Sequence, residues 1–223
     1  MSVLGNALTT VARFKTYHGL GSLTTAQDTI LEGIINAVSS YIMRYTGRVF
    51  KSQIFTSELI DSNGGNALFV KNFPIDSSAA FTLQVRDDVD NTSDWSTVDA
   101  EDYFIEYATG ALYLLGNLNW GRGRQRYRAT YTAGYSYDNS ATYLGDTEGA
   151  DLEWAAWKLA AASWDARKDN PNVVSERLGD YSVTFGKVAF EDTQVKSVLD
   201  KYKKIEVFTY KTPNNLYDDN AVL

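Results

Sequence analysis

The chain has 223 residues with a formal net charge of −7, and 44% of them are hydrophobic, a composition typical of folded globular proteins. It contains no cysteine, which excludes disulfides, thiolate chemistry and cysteine-ligated zinc. The acidic balance argues against a protein whose whole surface binds nucleic acid, because neutralising phosphates requires clustered Lys and Arg. No stretch is long and apolar enough to predict a membrane span, so no membrane partner is expected.

The first 50 residues have helical periodicity. A short helix is predicted from apolar positions three and four residues apart, and it stops at Gly19. A longer helix is predicted to begin with a capping box at Thr24 and Gln27 and to end at Gly47. The positions that carry the first pattern are Leu8, Val11, Ala12 and Lys15, and those of the second include Leu31, Ile34, Ile35, Val38, Ile42 and Tyr45.

From about Lys51 the hydrophobic period changes to two, which is typical of β-strands. Asn63-Gly64-Gly65 and Thr109-Gly110 separate neighbouring runs, and both are predicted to be hairpin turns because these residues tolerate positive φ. The segment is therefore predicted to be an antiparallel β module. Its predicted strands cover residues 54–60, 67–70, 81–86, 103–107, 111–115 and 125–132.

Helical periodicity returns after a polar loop at residues 134–149. A helix over residues 151–168 carries Trp154, Trp157 and Trp164, whose spacing predicts core packing or a subunit interface. Asn170-Pro171 ends it, and a short extended piece covers residues 181–185. A last helix is predicted over residues 192–204, with Val195, Val198, Leu199 and Tyr202 on one face.

The predicted fold class is α+β. The N- and C-terminal helices, residues 1–50 and 136–206, are expected to pack into a helical bundle. The antiparallel β module, residues 51–135, is inserted between them. Residues 207–223 follow as an extended C-terminal arm.

An arginine-rich run at residues 121–128 is the most unusual local feature. On a strand, Arg122, Arg124, Arg126 and Arg128 would share one face while Gln125 and Tyr127 took the other. Four guanidinium groups in a row need anions, and those could be a protein partner, DNA, or acids of the same chain in residues 87–102. A protein partner is favoured, because an acidic chain makes self-complementary contacts plausible.

The sequence predicts no catalytic residue, cofactor site or metal site. Because His18 is the only histidine, the sequence argues against a Ser-His-Asp triad and against a multi-histidine metal site. The acidic stretch could hold a hard cation, but it lacks EF-hand spacing and a solvated face is expected. Its acids are Asp87, Asp88, Asp90, Asp94, Asp99, Glu101 and Asp102.

Several segments, taken in order, resemble phage head–tail connector proteins, also called adaptor or head-completion proteins. The first markers are Asp28 to Ala37 and the exit Tyr45-Thr46-Gly47-Arg48, with Phe14 to Tyr17 upstream. The later markers follow in the family's order. They are Phe73-Pro74-Ile75, Tyr131 to Tyr135, Ser175 to Val183, and the final helix from Leu199 to Tyr202.

The resemblance implies a structural virion protein at the head–tail junction, assembled in the host cytoplasm. Such subunits form a ring, usually twelvefold, that docks under the portal protein and extends the DNA channel. A tail-side connector or tail terminator protein is the expected partner below. DNA would pass through without sequence-specific binding.

The C-terminal arm has its own interface prediction. Residues 205–210 are strongly β-prone, yet little sequence remains to pair with them. We expect the arm to add a strand to another subunit or to the portal, and the resemblance agrees, since the family is known for terminal arms. The residues expected to make this contact are Val207, Phe208, Tyr210, Leu216 and Tyr217.

Two other function classes remain open on the sequence alone. A glycan- or receptor-binding β module is suggested by the 15 tyrosines and the long loops. A carboxylate-dependent hydrolase is the less favoured alternative, because glycoside cleavage needs only two acids at the right separation.

Overall fold

The computed structural model describes residues 2–86, 94–116, 118–167 and 192–205. The chain divides into two compact units, each assembled from separate stretches of sequence. The first unit comprises residues 1–53, 71–75 and 133–204, and the second comprises residues 54–70, 76–132 and 205–223.

The described helices of four residues or more lie in the first unit, and local capping explains their ends. They are α1 (Val11–His18), α2 (Thr25–Thr46), α3 (Ala150–Ala166) and α4 (Thr193–Lys201). Both hydrogen bonds of the capping box between Thr24 and Gln27 are present, and α2 ends at Gly47, which has a left-handed conformation with φ 70°. Both predicted ends of α2 are therefore confirmed. The predicted start of α1 is too early, because Thr10 accepts a hydrogen bond from the Arg13 amide and begins the helix after Leu8.

Apolar side chains from all four helices form the core of the first unit. Trp164 is almost fully buried, and Trp154 and Trp157 are partly buried and pack against the same cluster. Of the two predicted alternatives, core packing is confirmed for Trp164. Each large apolar side chain that is fully buried contributes about 1.5–3 kcal/mol. Representative members are Phe14, Leu31, Ile35, Ile42, Leu159 and Leu199.

The second unit contains two antiparallel sheets. The larger has the strand order β1 (Gln53–Ser62), β7 (Gly123–Ala133), β3 (Thr82–Val85) and β4 (Ser96–Thr97). The smaller has the order β2 (Ala67–Phe69), β6 (Ala111–Leu114) and β5 (Tyr103–Glu106). Together with the four helices, these sheets confirm the α+β class.

The two predicted hairpin turns have different outcomes. Thr109-Gly110 joins β5 to β6, and Gly110 has φ 73°, as predicted. The prediction for Asn63-Gly64-Gly65 is wrong, because β1 and β2 belong to different sheets. The turn chemistry itself is present, since Asn63 accepts a hydrogen bond from the Gly65 amide. A local turn does not decide which strands pair, however, and β1 pairs with β7 instead.

No helix in the described ranges is both long and apolar enough to cross a membrane.

Candidate assembly interface

Arg48 ties together three segments of the first unit. Its side chain is only 2% exposed. The guanidinium donates hydrogen bonds to the carbonyls of Tyr202, at 3.1 Å, and Phe73, and it lies 3.3 Å from the centroid of the Phe73 ring. The exit of α2, the 71–75 segment and the end of α4 are therefore held by one side chain, and we call this arrangement the Arg48 centre.

The sequence marker from Tyr131 to Tyr135 contacts the 71–75 segment and the residues that follow α2. The amide of Gly134 donates to the Pro74 carbonyl at 2.9 Å, and the amide of Tyr135 donates to the Phe50 carbonyl at 2.7 Å. Gly134 has φ 109°, and a Cβ atom there would lie 2.8 Å from the Phe50 carbonyl oxygen. Only glycine therefore fits this close approach of two backbones. The markers at Tyr45–Arg48, Phe73–Ile75 and Tyr131–Tyr135 are thus neighbours in space, whereas the marker from Ser175 to Val183 lies outside the described residues.

The end of α4 is also fixed. The Tyr202 hydroxyl donates a hydrogen bond to Asp151, and burial, together with that hydrogen bond, raises the pKa of Tyr202. The amide of Lys204 donates to the Thr46 carbonyl at 2.9 Å. The point from which the C-terminal segment continues is therefore anchored beside the end of α2.

Glu153 is a fully buried carboxylate, and its partners show a structural role. One oxygen accepts hydrogen bonds from Thr9, at 2.7 Å, and from Nε of Arg13, at 2.8 Å. The other oxygen accepts from Nη2 of Arg13 at 2.9 Å, and the bond to Glu153 raises the pKa of Arg13. Both oxygens are thus engaged in holding α1 against α3, and neither is presented to a substrate.

The predicted arginine face forms only in part. Arg126 and Arg128 alternate with the buried Tyr127 and Ala129, as expected. Gln125 does not share the face of Tyr127: it is exposed and has φ 46°, and its amide donates to Asp61 on β1 at 2.7 Å. This irregularity interrupts the two-residue alternation, so Arg122 and Arg124 are not part of one continuous row with the others.

Two residues that sequence reasoning missed complete the arginine cluster. The guanidinium groups of Arg86 and Arg128 lie 5.5 and 4.5 Å from the centroid of the Trp95 ring. Arg126 continues the row, because its carbonyl accepts from the Arg86 amide at 3.0 Å. We call Arg86, Trp95, Arg126 and Arg128 the arginine platform. Arg86, Trp95 and the arginines of β7 lie too far apart in the sequence to share one periodic pattern, so no pattern could have grouped them.

The hydrogen-bond acceptors that the described residues offer to the three arginines of the platform are neutral. Nε of Arg128 donates to the Gln84 side chain at 2.7 Å, Nη1 of Arg126 to the Arg122 carbonyl at 3.0 Å, and Nη2 of Arg86 to the Arg124 carbonyl at 3.2 Å. The acids of the same chain were one predicted set of partners. Asp87, Asp88 and Asp90 lie outside the described residues.

The described part of the acidic stretch forms a capped turn. Asp99 accepts a hydrogen bond from the Glu101 amide at 3.0 Å and begins a 3₁₀ turn at Ala100–Asp102. Glu101 and Asp102 are exposed, which agrees with the predicted solvated face. Among the residues that the structure describes, no group of three or more His, Asp or Glu residues is placed to hold a metal ion.

The remaining predicted residues are His18 and those of the C-terminal arm. His18 ends α1, and its Nε2 lies 3.1 Å from the Asp165 carboxylate, so its predicted helix-end position is confirmed. The arm residues lie outside the described residues, and their contacts stay a prediction. They are Val207, Phe208, Tyr210, Leu216 and Tyr217.

Comparison with known proteins identifies the family. No curated protein matches the chain, but the family model described as "Head completion protein" matches residues 7–205. The chain belongs to the head completion protein family. This membership confirms the resemblance that the ordered sequence markers predicted, and with it the assignment to the structural proteins of the virion at the head–tail junction.

Two solved structures are similar to this head completion protein over nearly its whole length. One is described as the neck of an empty GTA particle computed with C6 symmetry, and the other as the virion of a native gene transfer agent particle. Each matches with 20% sequence identity and a TM-score of 0.51, covering 93% of this chain and 94% of the other. At this identity the likeness establishes a common fold.

Proposed function

We propose that this head completion protein forms a ring between the portal and the tail and extends the DNA channel. The observation that carries the proposal is the family match over residues 7–205. The similar fold of a chain in a particle neck computed with C6 symmetry supports a ring, because symmetry of that kind requires repeated copies around one axis. A dodecamer is the ring size we propose.

The charge of the chain suits a DNA conduit. Each copy carries a formal net charge of −7, so a ring repeats that charge around its axis. The resulting field repels phosphates and keeps adhesion to passing DNA weak. DNA would therefore cross the ring without sequence-specific binding.

The ring needs partners above, below and beside each subunit. We propose the portal protein above and a tail-side connector or tail terminator protein below. The C-terminal arm, residues 207–223, would add a strand to a neighbouring subunit or to the portal. The arginines Arg122, Arg124, Arg126 and Arg128 would lie at a contact with a neighbouring subunit or the portal.

We do not propose a carboxylate-dependent hydrolase, because the cleft described in the second unit lacks a pair of acids. The second unit has a cleft of about 380 Å³ whose lining includes Phe81, Leu83 and Tyr103 and a single carboxylate, Asp99. That carboxylate already caps the following turn. The two-carboxylate arrangement that a glycosidase requires is therefore absent from the cleft.

The proposal is tested by measuring mass in solution. The purified protein and its cognate portal are measured by mass photometry separately and as a mixture. We expect the mixture to contain portal complexes heavier by a whole ring of subunits, about twelve. A mixture in which the portal keeps its own mass at saturating protein concentration would refute the proposal.

A further inference from the structure

The arginine platform gathers three positive charges on one face of the larger sheet. Trp95 lies against Arg86 and Arg128, and the amide of Arg86 donates to the Arg126 carbonyl. Arginine stacked on an aromatic ring is held in one plane, which prepares its fork of N–H donors for a planar anion. The platform is therefore a preformed surface for carboxylate or phosphate groups.

The platform lacks a counter-charge within the described chain. Arg86 is only 9% exposed, and the Nε atoms of Arg86 and Arg126 are buried without a hydrogen-bond partner among the residues that the structure describes. Removing charged groups from water is costly unless an opposite charge or further hydrogen bonds compensate. An anionic partner at the accessible edge of the platform would supply the opposite charge.

The acidic turn Asp99–Asp102 has the complementary chemistry. Glu101 and Asp102 are exposed, and the turn is rigid because Asp99 caps it while the Asp102 carbonyl accepts from the Leu115 amide at 2.9 Å. No ion pair joins this turn to the platform of its own copy among the residues described. Its carboxylates are therefore available to another molecule.

We propose that the arginine platform of one subunit binds the acidic turn Asp99–Asp102 of a second copy of this chain. We choose a second copy as the occupant because its exposed Glu101 and Asp102 are complementary in charge to the arginines of the platform. The two surfaces differ, so the contact is head to tail, the type that closes rings. This inference rests on the proposed ring and names the contact within it.

Charge reversal tests the contact from both sides. Arg126→Glu with Arg128→Glu removes the positive surface, and Glu101→Lys with Asp102→Lys removes the negative one. A third chain carries all four substitutions. The control, Glu106→Lys with Glu148→Lys, makes the same change of charge as the acidic-turn variant, at exposed acids elsewhere. Circular dichroism melting verifies that each variant folds, and mass photometry with the portal gives the fraction of complete rings.

We expect each one-sided variant to lose about tenfold in ring fraction, because like charges then face each other across the contact. The fourfold variant should regain rings, since the complementary pair is restored with reversed signs. The control should assemble like the wild type.

Folded one-sided variants that assemble normally would overturn the inference while leaving the ring itself intact. Failure of the fourfold variant to recover would also overturn it, and would point to the portal or DNA as the partner. Absence of rings from the wild-type protein would instead refute the proposed function, and this inference with it.

Discussion

At the residue scale, one arginine explains why separate sequence markers occur together. Arg48 reaches Phe73 and Tyr202, which lie 25 and 154 positions away. The sequence identified the segments as markers of a family but gave no sign that they touch, because contacts at such separations follow from tertiary packing and not from local periodicity.

The Arg48 centre predicts a large stability effect for one substitution. Arg48→Met keeps much of the side-chain volume but leaves the carbonyls of Phe73 and Tyr202 without their donor. Losing hydrogen bonds from a buried charged group should cost about 3–5 kcal/mol of unfolding free energy. Guanidinium chloride unfolding followed by circular dichroism measures this.

The control for this substitution is Arg44→Met, at an exposed position in the last turn of α2. It should change the unfolding free energy by less than about 0.5 kcal/mol. Equal effects of the two substitutions would show that Arg48 does not hold the centre together.

Tyr202 predicts a dependence of stability on alkaline pH. Its pKa is raised above the ordinary value of 10.0 by burial and by the hydrogen bond to Asp151. A group whose folded pKa is raised stabilises the fold below its unfolded pKa, and that stabilisation is lost as the pH rises above it. The unfolding free energy of the wild type should therefore fall above about pH 10.

The variant Tyr202→Phe isolates this contribution. Its unfolding free energy should be about 1 kcal/mol lower than that of the wild type at pH 7. Between pH 9 and pH 11 its unfolding free energy should fall less than that of the wild type. Denaturant midpoints at each pH measure both effects. Parallel curves for the two proteins would be inconsistent with this role of Tyr202, since the remaining buried tyrosines are common to both.

At the element scale, the parts that could be predicted are those fixed by neighbours in sequence. The capping box of α2 needs only Thr24 and Gln27, and the turn at Gly110 joins adjacent strands. The pairing of β1 with β7 depends on residues far along the chain, so it could not be predicted from a turn. β4 has two residues, too few to show an alternating pattern.

The same limit applies to the candidate interface. The arginines of β7 were visible as a run, whereas Arg86 and Trp95 join them only through the pairing of β3 with β7 and with β4. The unusual backbone of Gln125 also overrode the alternation expected of a regular strand. Sequence thus indicated a charged surface but not its members.

The C-terminal arm is predicted to serve assembly and not folding. Truncation after Glu206 retains α4 and the bond from Lys204 to Thr46, so thermal stability should hardly change. Binding to the portal or to neighbouring subunits should be abolished, because the arm's strand-forming and aromatic residues are removed. Differential scanning fluorimetry and mass photometry measure the two properties.

A full-length chain with Phe208→Ser and Tyr210→Ser is the matched control for loss of chain length. It should assemble as poorly as the truncated protein. Assembly of the truncated chain at the wild-type level would mean that the arm is only a frayed terminus.

At the scale of the whole molecule, membership of the head completion protein family leads us to expect a protein without catalytic activity. Its most buried described carboxylate, Glu153, is engaged by Arg13 and Thr9, and its one histidine ends a helix. Pure protein should hydrolyse neither peptidoglycan nor DNA in standard assays. Reproducible turnover that disappears on a single Asp or Glu substitution would be evidence against a purely structural role.

The central claim is that copies of this head completion protein form one ring on the portal. Cryo-electron microscopy of the portal, alone and after incubation with excess protein, tests it most directly. We expect a second ring of density coaxial with the portal, around an open channel, into which repeated copies of the two units fit. Portal images that are identical with and without folded protein would contradict it.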